Sequence, residues 1–156
     1  MAKPVRFLLA AVTVCLPAAG HAAEDRWTFD FAQGVAEYAV GSFSDGASRL
    51  ALSCAEAGVR PGSASISLAR AGFTPTGPTD ATFVTDRGKL TLRLDARGYA
   101  DFPVVSAAST FRSLWQQLAK ARTLRIAYGP GQPMRLPLTD AASVLGTNVC
   151  PKQLAR

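Results

Sequence analysis

The feature that most constrains the fold is a series of short segments in which apolar and polar residues alternate, separated by turn residues. The alternation is clearest over residues 89–95, where three leucines face one way and charged or polar side chains face the other. One apolar face and one wet face is typical of an antiparallel sheet that covers a core on one side. The sequence therefore predicts a mainly β fold.

Further strands are expected wherever the same pattern recurs between Gly, Pro or Asp-Gly turns. Trp27, Phe29 and Phe31 share one face of the first strand, and Pro103 indicates that the strand containing it lies at a sheet edge. The predicted strands cover residues 27–31, 36–43, 49–54, 63–69, 81–85, 89–95, 99–105, 123–128 and 134–138.

The period of the apolar residues changes to that of a helix at about residues 107–122. Ser109, or Ser106 if the helix begins earlier, is the expected N-terminal cap. A second, short helix is predicted after Thr139, with Thr139 as its cap and Gly146 ending it. The predicted fold class is α+β, mainly β: an antiparallel β-sandwich or an open barrel, with the amphipathic helix packed on it and a short C-terminal helix.

The N-terminus has the pattern of a secretory signal peptide. Lys3 and Arg6 are followed by an apolar run of about ten residues and then by small residues, and we expect cleavage after Ala22. The run is shorter than the roughly 20 residues that span a bilayer, so no transmembrane segment is expected after cleavage. The alternative is an uncleaved anchor or a buried helix. The predicted organisation is a signal peptide at 1–22, a single β-rich domain at 23–150 and a loose tail at 151–156, with the protein in the periplasm or secreted.

Cleavage changes the available chemistry, because it removes Cys15 and the single histidine, His21. Cys54 and Cys150 remain, and two cysteines in an oxidising compartment most simply form one disulfide. A redox-active pair is the alternative, although such cysteines usually lie close in sequence. A chain without imidazole has no Ser-His-Asp or Cys-His machinery and no histidine-based metal site, so neither a metal nor a cofactor is expected.

Residues 23–156 contain fifteen basic and eleven acidic residues, and twelve of the basic ones are arginine. Arginine binds phosphate and carboxylate through its planar fork. Arg93, Arg97, Arg125 and Arg135 are the candidate anion-binding residues, and Arg93 with Arg125 would form a patch if their strands were neighbours. Scattered solvated arginines are the alternative. A nucleic-acid partner is not expected, since the arginines form no run and no aromatic residues are interleaved with them.

Catalysis by carboxylates remains open to a chain that lacks histidine. Glycosidases need two acids about 5–10 Å apart across a cleft. Glu37, Glu56, Asp95 and Asp101 are the acids outside obvious turns, and Asp95 and Asp101 flank one short hairpin. The alternative is that Asp95 merely ends a strand and Asp101 is solvated.

The C-terminal half has a layout found in small exported bacterial proteins. A helix with the sequence FRSLWQQL precedes the strand TLRI and a Gly/Pro turn, and LPLTDAASVL then runs to Cys150. This layout resembles the end of the invasion-associated locus B family and of a type VI secretion-associated family of small envelope proteins. The resemblance covers about forty residues and implies an exported, non-catalytic, β-rich envelope protein, but it transfers no catalytic residue.

Together these observations predict an exported, periplasmic, non-catalytic binding or accessory protein of the bacterial envelope. Its partner would be another envelope protein or an anionic envelope polymer. A carboxylate-dependent envelope hydrolase and a structural envelope component are the alternatives.

Overall fold

The computed structural model describes residues 25–42, 44–55 and 62–150. The predicted signal peptide, with Cys15 and His21, lies outside these residues, and so do Glu56 and the predicted tail at 151–156. In the described part, two antiparallel sheets form a sandwich-like, mainly β structure with two helices, which confirms the predicted fold class. No helix in these ranges is long and apolar enough to cross a membrane.

The first sheet has five strands and the second has four. The first contains β1 (Thr28–Ala32), β2 (Val35–Gly41), β3 (Arg49–Ala55), β4 (Ala64–Ala69) and β7 (Tyr99–Phe102), in the spatial order β1-β2-β3-β4-β7. The second contains β5 (Thr79–Thr85), β6 (Gly88–Leu94), β8 (Leu124–Tyr128) and β9 (Met134–Arg135), in the order β6-β5-β8-β9. The helices are α1 (Ser109–Lys120) and α2 (Ala141–Leu145).

The core lies between the sheets and α1. Strands β4 and β8, one in each sheet, alternate as predicted, and their apolar sides are buried. Helix α1 buries four apolar side chains completely, and the edge of the Trp115 ring meets Tyr38 of β2 at a centroid distance of 4.8 Å. Burial of each large side chain contributes roughly 1.5–3 kcal/mol, so this contact is a main link between the helix and the first sheet. The four helix residues are Phe111, Leu114, Trp115 and Leu118.

Arg70 connects the two sheets at one end of the molecule. It follows β4, and its guanidinium donates to the carbonyl oxygens of Tyr128 (2.6 Å), the last residue of β8, and of Gln132 (3.0 Å), in the turn before β9. Phe73, in the loop after β4, meets the Tyr128 ring edge-on at 5.1 Å. Arg70 therefore has a structural role and is not a free surface cation.

The predicted N-terminal caps of both helices are wrong, although both helices are present. Helix α1 begins after Ala108 rather than at 107, and no side chain caps it. Neither Ser109, the first residue of the helix, nor Ser106 occupies the capping position. Helix α2 begins after Asp140 rather than Thr139, whereas Gly146 ends it as predicted, with a φ of 65° that favours glycine.

The first strand lies at the edge of its sheet and is only partly covered. Phe29 and Phe31 share the face of Tyr38, as the alternation predicts, yet they are 46% and 40% exposed. Trp27, just before the strand, is buried, and its backbone N–H donates to the Thr139 carbonyl (2.9 Å). The Phe31 N–H turns away from β2 and donates to the Asp30 carboxylate (2.8 Å).

Cys54 and Cys150 are joined by a disulfide. Cys54 lies on the buried face of β3, in the middle of the first sheet, and Cys150 follows α2. The bond therefore ties the end of the described chain to a central strand.

Candidate functional site

A row of cations crosses the outer face of the second sheet. Backbone pairing places Lys89 of β6 opposite Val84 of β5, Val84 opposite Arg125 of β8, and Arg125 opposite Arg135 of β9. All four side chains are exposed, and Val84 is 41% exposed. Adjacent strands lie about 4.8 Å apart, so the row is about 14 Å long at the backbone. We call Lys89, Arg125 and Arg135 the basic row.

The charges of the basic row are not neutralised by neighbouring groups. In residues 25–42, 44–55 and 62–150, no ion pair or side-chain hydrogen bond involves Lys89, Arg125 or Arg135. Arg125 and Arg135 stand directly opposite each other across two strands, an arrangement that destabilises a sheet. An anion placed over the row would relieve this repulsion and accept hydrogen bonds from both guanidinium groups.

The structure separates the four arginines that the sequence suggested. Arg125 and Arg135 are neighbours in the basic row. Arg93 and Arg125 share the outer face, but their strands are not adjacent, because β5 lies between them. Arg93 is paired with Asp80 at 3.2 Å.

Arg97 belongs to a different part of the molecule. It lies in the turn between β6 and β7, where its guanidinium contacts the Asp95 carboxylate at 3.0 Å and lies over the Tyr99 ring at 5.6 Å. Arg97 is therefore engaged by its own turn and is not part of the basic row.

Sequence reasoning missed Lys89 and Val84 as members of the site. Lys89 was assigned to a polar face, but only the order of the strands places it in line with Arg125. The Asp86-Arg-Gly88 turn carries a usable signal, because a tight hairpin there pairs Val84 with Lys89. The position of β5 between β6 and β8 has no local signal in the sequence, since it requires β5 to pair with β8, which comes after α1 in the chain.

The two acids considered for catalysis line one cleft of about 440 Å³ between β6 and β7. Asp95 is engaged there by the turn, because its carboxylate accepts the backbone N–H groups of Arg97 (2.8 Å) and Tyr99 (2.9 Å) as well as the Arg97 side chain. These hydrogen bonds, led by that from Tyr99, hold the pKa of Asp95 below its usual value. Asp95 is thus held as an anion and is poorly suited to be a general acid with Asp101.

The remaining acids do not assemble a site. Glu37 pairs with Arg49 across β2 and β3, and Glu56 lies outside the described residues. Within the ranges that the structure describes, no group of three or more His, Cys, Asp or Glu side chains could hold a metal ion.

Comparison with known proteins shows the family of this chain. The YfjT family model matches residues 25–145, which is most of the sequence and includes all eleven helices and strands of the described residues. The chain therefore belongs to the YfjT family. No curated protein and no solved structure shows a significant match to it.

Proposed function

We propose that this member of the YfjT family is an exported, non-catalytic binding protein of the bacterial envelope whose basic row contacts an anionic polymer. The observation that carries the proposal is the alignment of three unpaired cations, Lys89, Arg125 and Arg135, on one exposed sheet face. An accessory role toward another protein would use the same surface.

Export is supported by the pattern of residues 1–22 and by the cysteines. The signal pattern predicts that Cys15 is removed and that only Cys54 and Cys150 remain. A disulfide between these two is compatible with folding in an oxidising compartment.

The shape of the row supports a polymer rather than a small anion. The three cations lie along a line on an open sheet face, with the exposed Val84 between Lys89 and Arg125. A line of charges suits a ligand with repeated anionic groups, and Val84 offers an apolar contact between them. Binding of this kind is electrostatic, so it weakens as salt screens the charges.

The proposal is tested by binding of the processed protein, purified from the periplasm, to immobilised polygalacturonate and to lipopolysaccharide. We expect Arg125→Gln with Arg135→Gln to weaken binding at least about tenfold and to make it less dependent on salt. The matched control replaces Arg26 and Arg97, two exposed arginines in ion pairs elsewhere, by Gln. Equal losses in both double variants would show that only net charge matters and would overturn the role of the row.

Processing is checked on the same preparation. Intact-mass measurement should give a chain that begins at Ala23. A chain that retains residues 1–22 would contradict the exported, soluble form, and the binding protein would then be an anchored one.

A further inference from the structure

A groove lies away from the basic row, between α1 and the segment that follows α2. Its volume is about 440 Å³, within the range of about 300–1,000 Å³ typical of small-molecule sites. One wall is the side of α1, the turn before the helix forms one end, and the segment leading to Cys150 forms the opposite wall. The lining residues are Val105, Ser106, Arg112, Gln116, Thr147, Asn148 and Val149.

Each of the five polar side chains that line this groove can donate a hydrogen bond, and four of them can also accept one. Arg112 and Gln116 stand one helical turn apart on α1, and Asn148 presents an amide from the opposite wall. Ser106 and Thr147 add hydroxyl groups, and no acidic residue lines the groove. With one cation and no acid in its lining, the groove favours a ligand that carries a negative charge.

Arg112 is the charged group that this ligand would meet. One of its terminal nitrogens donates to the Ser106 carbonyl (3.3 Å), which positions the guanidinium at the groove. In the part of the chain that the structure describes, no acidic side chain pairs with Arg112. Its remaining N–H groups are therefore available for a carboxylate, which guanidinium binds through two parallel hydrogen bonds.

We infer that this groove binds a small ligand that carries one carboxylate beside hydroxyl or amide groups. The carboxylate lies on Arg112, the neighbouring polar groups of the ligand meet Gln116 and Asn148, and Val105 and Val149 contact its apolar part. An acidic sugar and the C-terminus of a peptide share this chemistry. The groove shares no residue with the basic row, so the inference does not depend on the proposed function.

The inference also couples the groove to the disulfide. Thr147, Asn148 and Val149 directly precede Cys150, whose bond to Cys54 anchors this wall to β3. Reduction of the disulfide should loosen the wall and weaken binding of the ligand.

The test is calorimetric titration of the processed protein with N-acetylmuramic acid and with N-acetyl-Ala-Ala, each beside its amide at the carboxyl group. We expect one of the two acids to bind, and its amide to bind at least about tenfold more weakly because the charge-assisted hydrogen bonds are lost. The acid that binds identifies the source of the carboxylate.

Variants separate the groove from general charge effects. Arg112→Ala should weaken binding at least about tenfold, and Arg112→Lys should lie between it and the wild type, because lysine keeps the charge without the fork. Arg122→Ala, which removes an arginine just beyond α1, should bind as the wild type does, and circular dichroism should show that all variants are folded. No binding of either acid at about 10 mM, equal binding of acid and amide, or an unchanged affinity in Arg112→Ala would each overturn the inference.

Discussion

Loss of the disulfide between Cys54 and Cys150 should destabilise the protein strongly. The bond joins residues 96 positions apart, so it closes a loop of most of the folded domain. Removing the bond allows the unfolded chain many more conformations while changing few contacts in the folded one. The loop-entropy relation gives roughly 4.7 kcal/mol for such a loop, and measured values commonly lie at about 2–4 kcal/mol.

The perturbation is made in two ways. Dithiothreitol reduces the wild type and leaves both sulfur atoms in place, whereas Cys54→Ala with Cys150→Ala removes them permanently. Alanine is preferred to serine at Cys54, since that side chain is only 1% exposed and a buried hydroxyl without a partner carries its own cost.

The assay is urea denaturation followed by tryptophan fluorescence. We expect the free energy of unfolding to fall by about 2–4.7 kcal/mol in both the reduced and the double-alanine protein. The slope of that free energy against urea concentration should rise, because an unfolded chain without the cross-link is less compact. Dithiothreitol should have no effect on the double-alanine variant, which controls for the reagent.

The reasoning fails if thiol titration confirms full oxidation of the wild type and yet reduction changes the free energy of unfolding by less than about 1 kcal/mol. The unfolded state would then retain enough structure near the two cysteines to make the cross-link redundant. Two free thiols in the denatured, non-reduced protein would instead show that the bond is not formed.

Three further predictions concern stability. Asp86 and Asp95 accept backbone N–H groups that lower their pKa, so their contribution to the free energy of unfolding is complete above the unfolded pKa of about 3.9 and is lost as the pH falls through the lower folded pKa values. The urea midpoints of Asp86→Asn and Asp95→Asn should therefore decline less than the wild-type midpoint below about pH 4, and parallel curves would contradict this. Gly98→Ala should lower the free energy of unfolding in urea by about 2–3 kcal/mol, because φ is +82° at this position and the new Cβ would lie 2.3 Å from the Leu68 carbonyl oxygen. A free energy of unfolding within about 0.5 kcal/mol of the wild type would refute that geometry. Trp115→Ala should lower the free energy of unfolding by about 3–5 kcal/mol. Trp115→Phe should lower it clearly less, because the buried indole N–H has no hydrogen-bond partner within the described residues to lose, and equal losses in thermal unfolding would contradict this.

The elements that sequence reasoning identified best are those in which one face is fully covered. The strand expected at 89–95 is β6, and the helix expected at about 107–122 is α1, whose Phe111, Leu114, Trp115 and Leu118 side chains are completely buried. In both, the period of the apolar residues records which side meets the core, and that information is local.

Whether another element packs over the apolar face of a strand does not depend on that strand's own sequence, and here sequence reasoning was incomplete. Phe29 and Phe31 were correctly placed on one face, but alternation does not say whether another element lies above that face. The basic row shows the same limit: Arg125 faces Arg135 because β8 pairs with β9, and Lys89 lies in line with them because β5 lies between β6 and β8. Helix caps failed for a related reason: Ser109 is a good capping residue, but the turn before α1 gives the capping position to Ala108.

Strand β1 lies at one end of the first sheet, and among the described residues it pairs only with β2. An edge strand offers unpaired backbone groups to any other chain, and an apolar edge is the usual starting point for aggregation. In this protein the Thr139 carbonyl accepts the Trp27 N–H just before the strand, and the Asp30 side chain accepts the Phe31 N–H within it. Because the Asp30 carboxylate accepts one of these N–H groups, replacing Asp30 by alanine would free the Phe31 N–H on an edge that already carries two exposed phenylalanines.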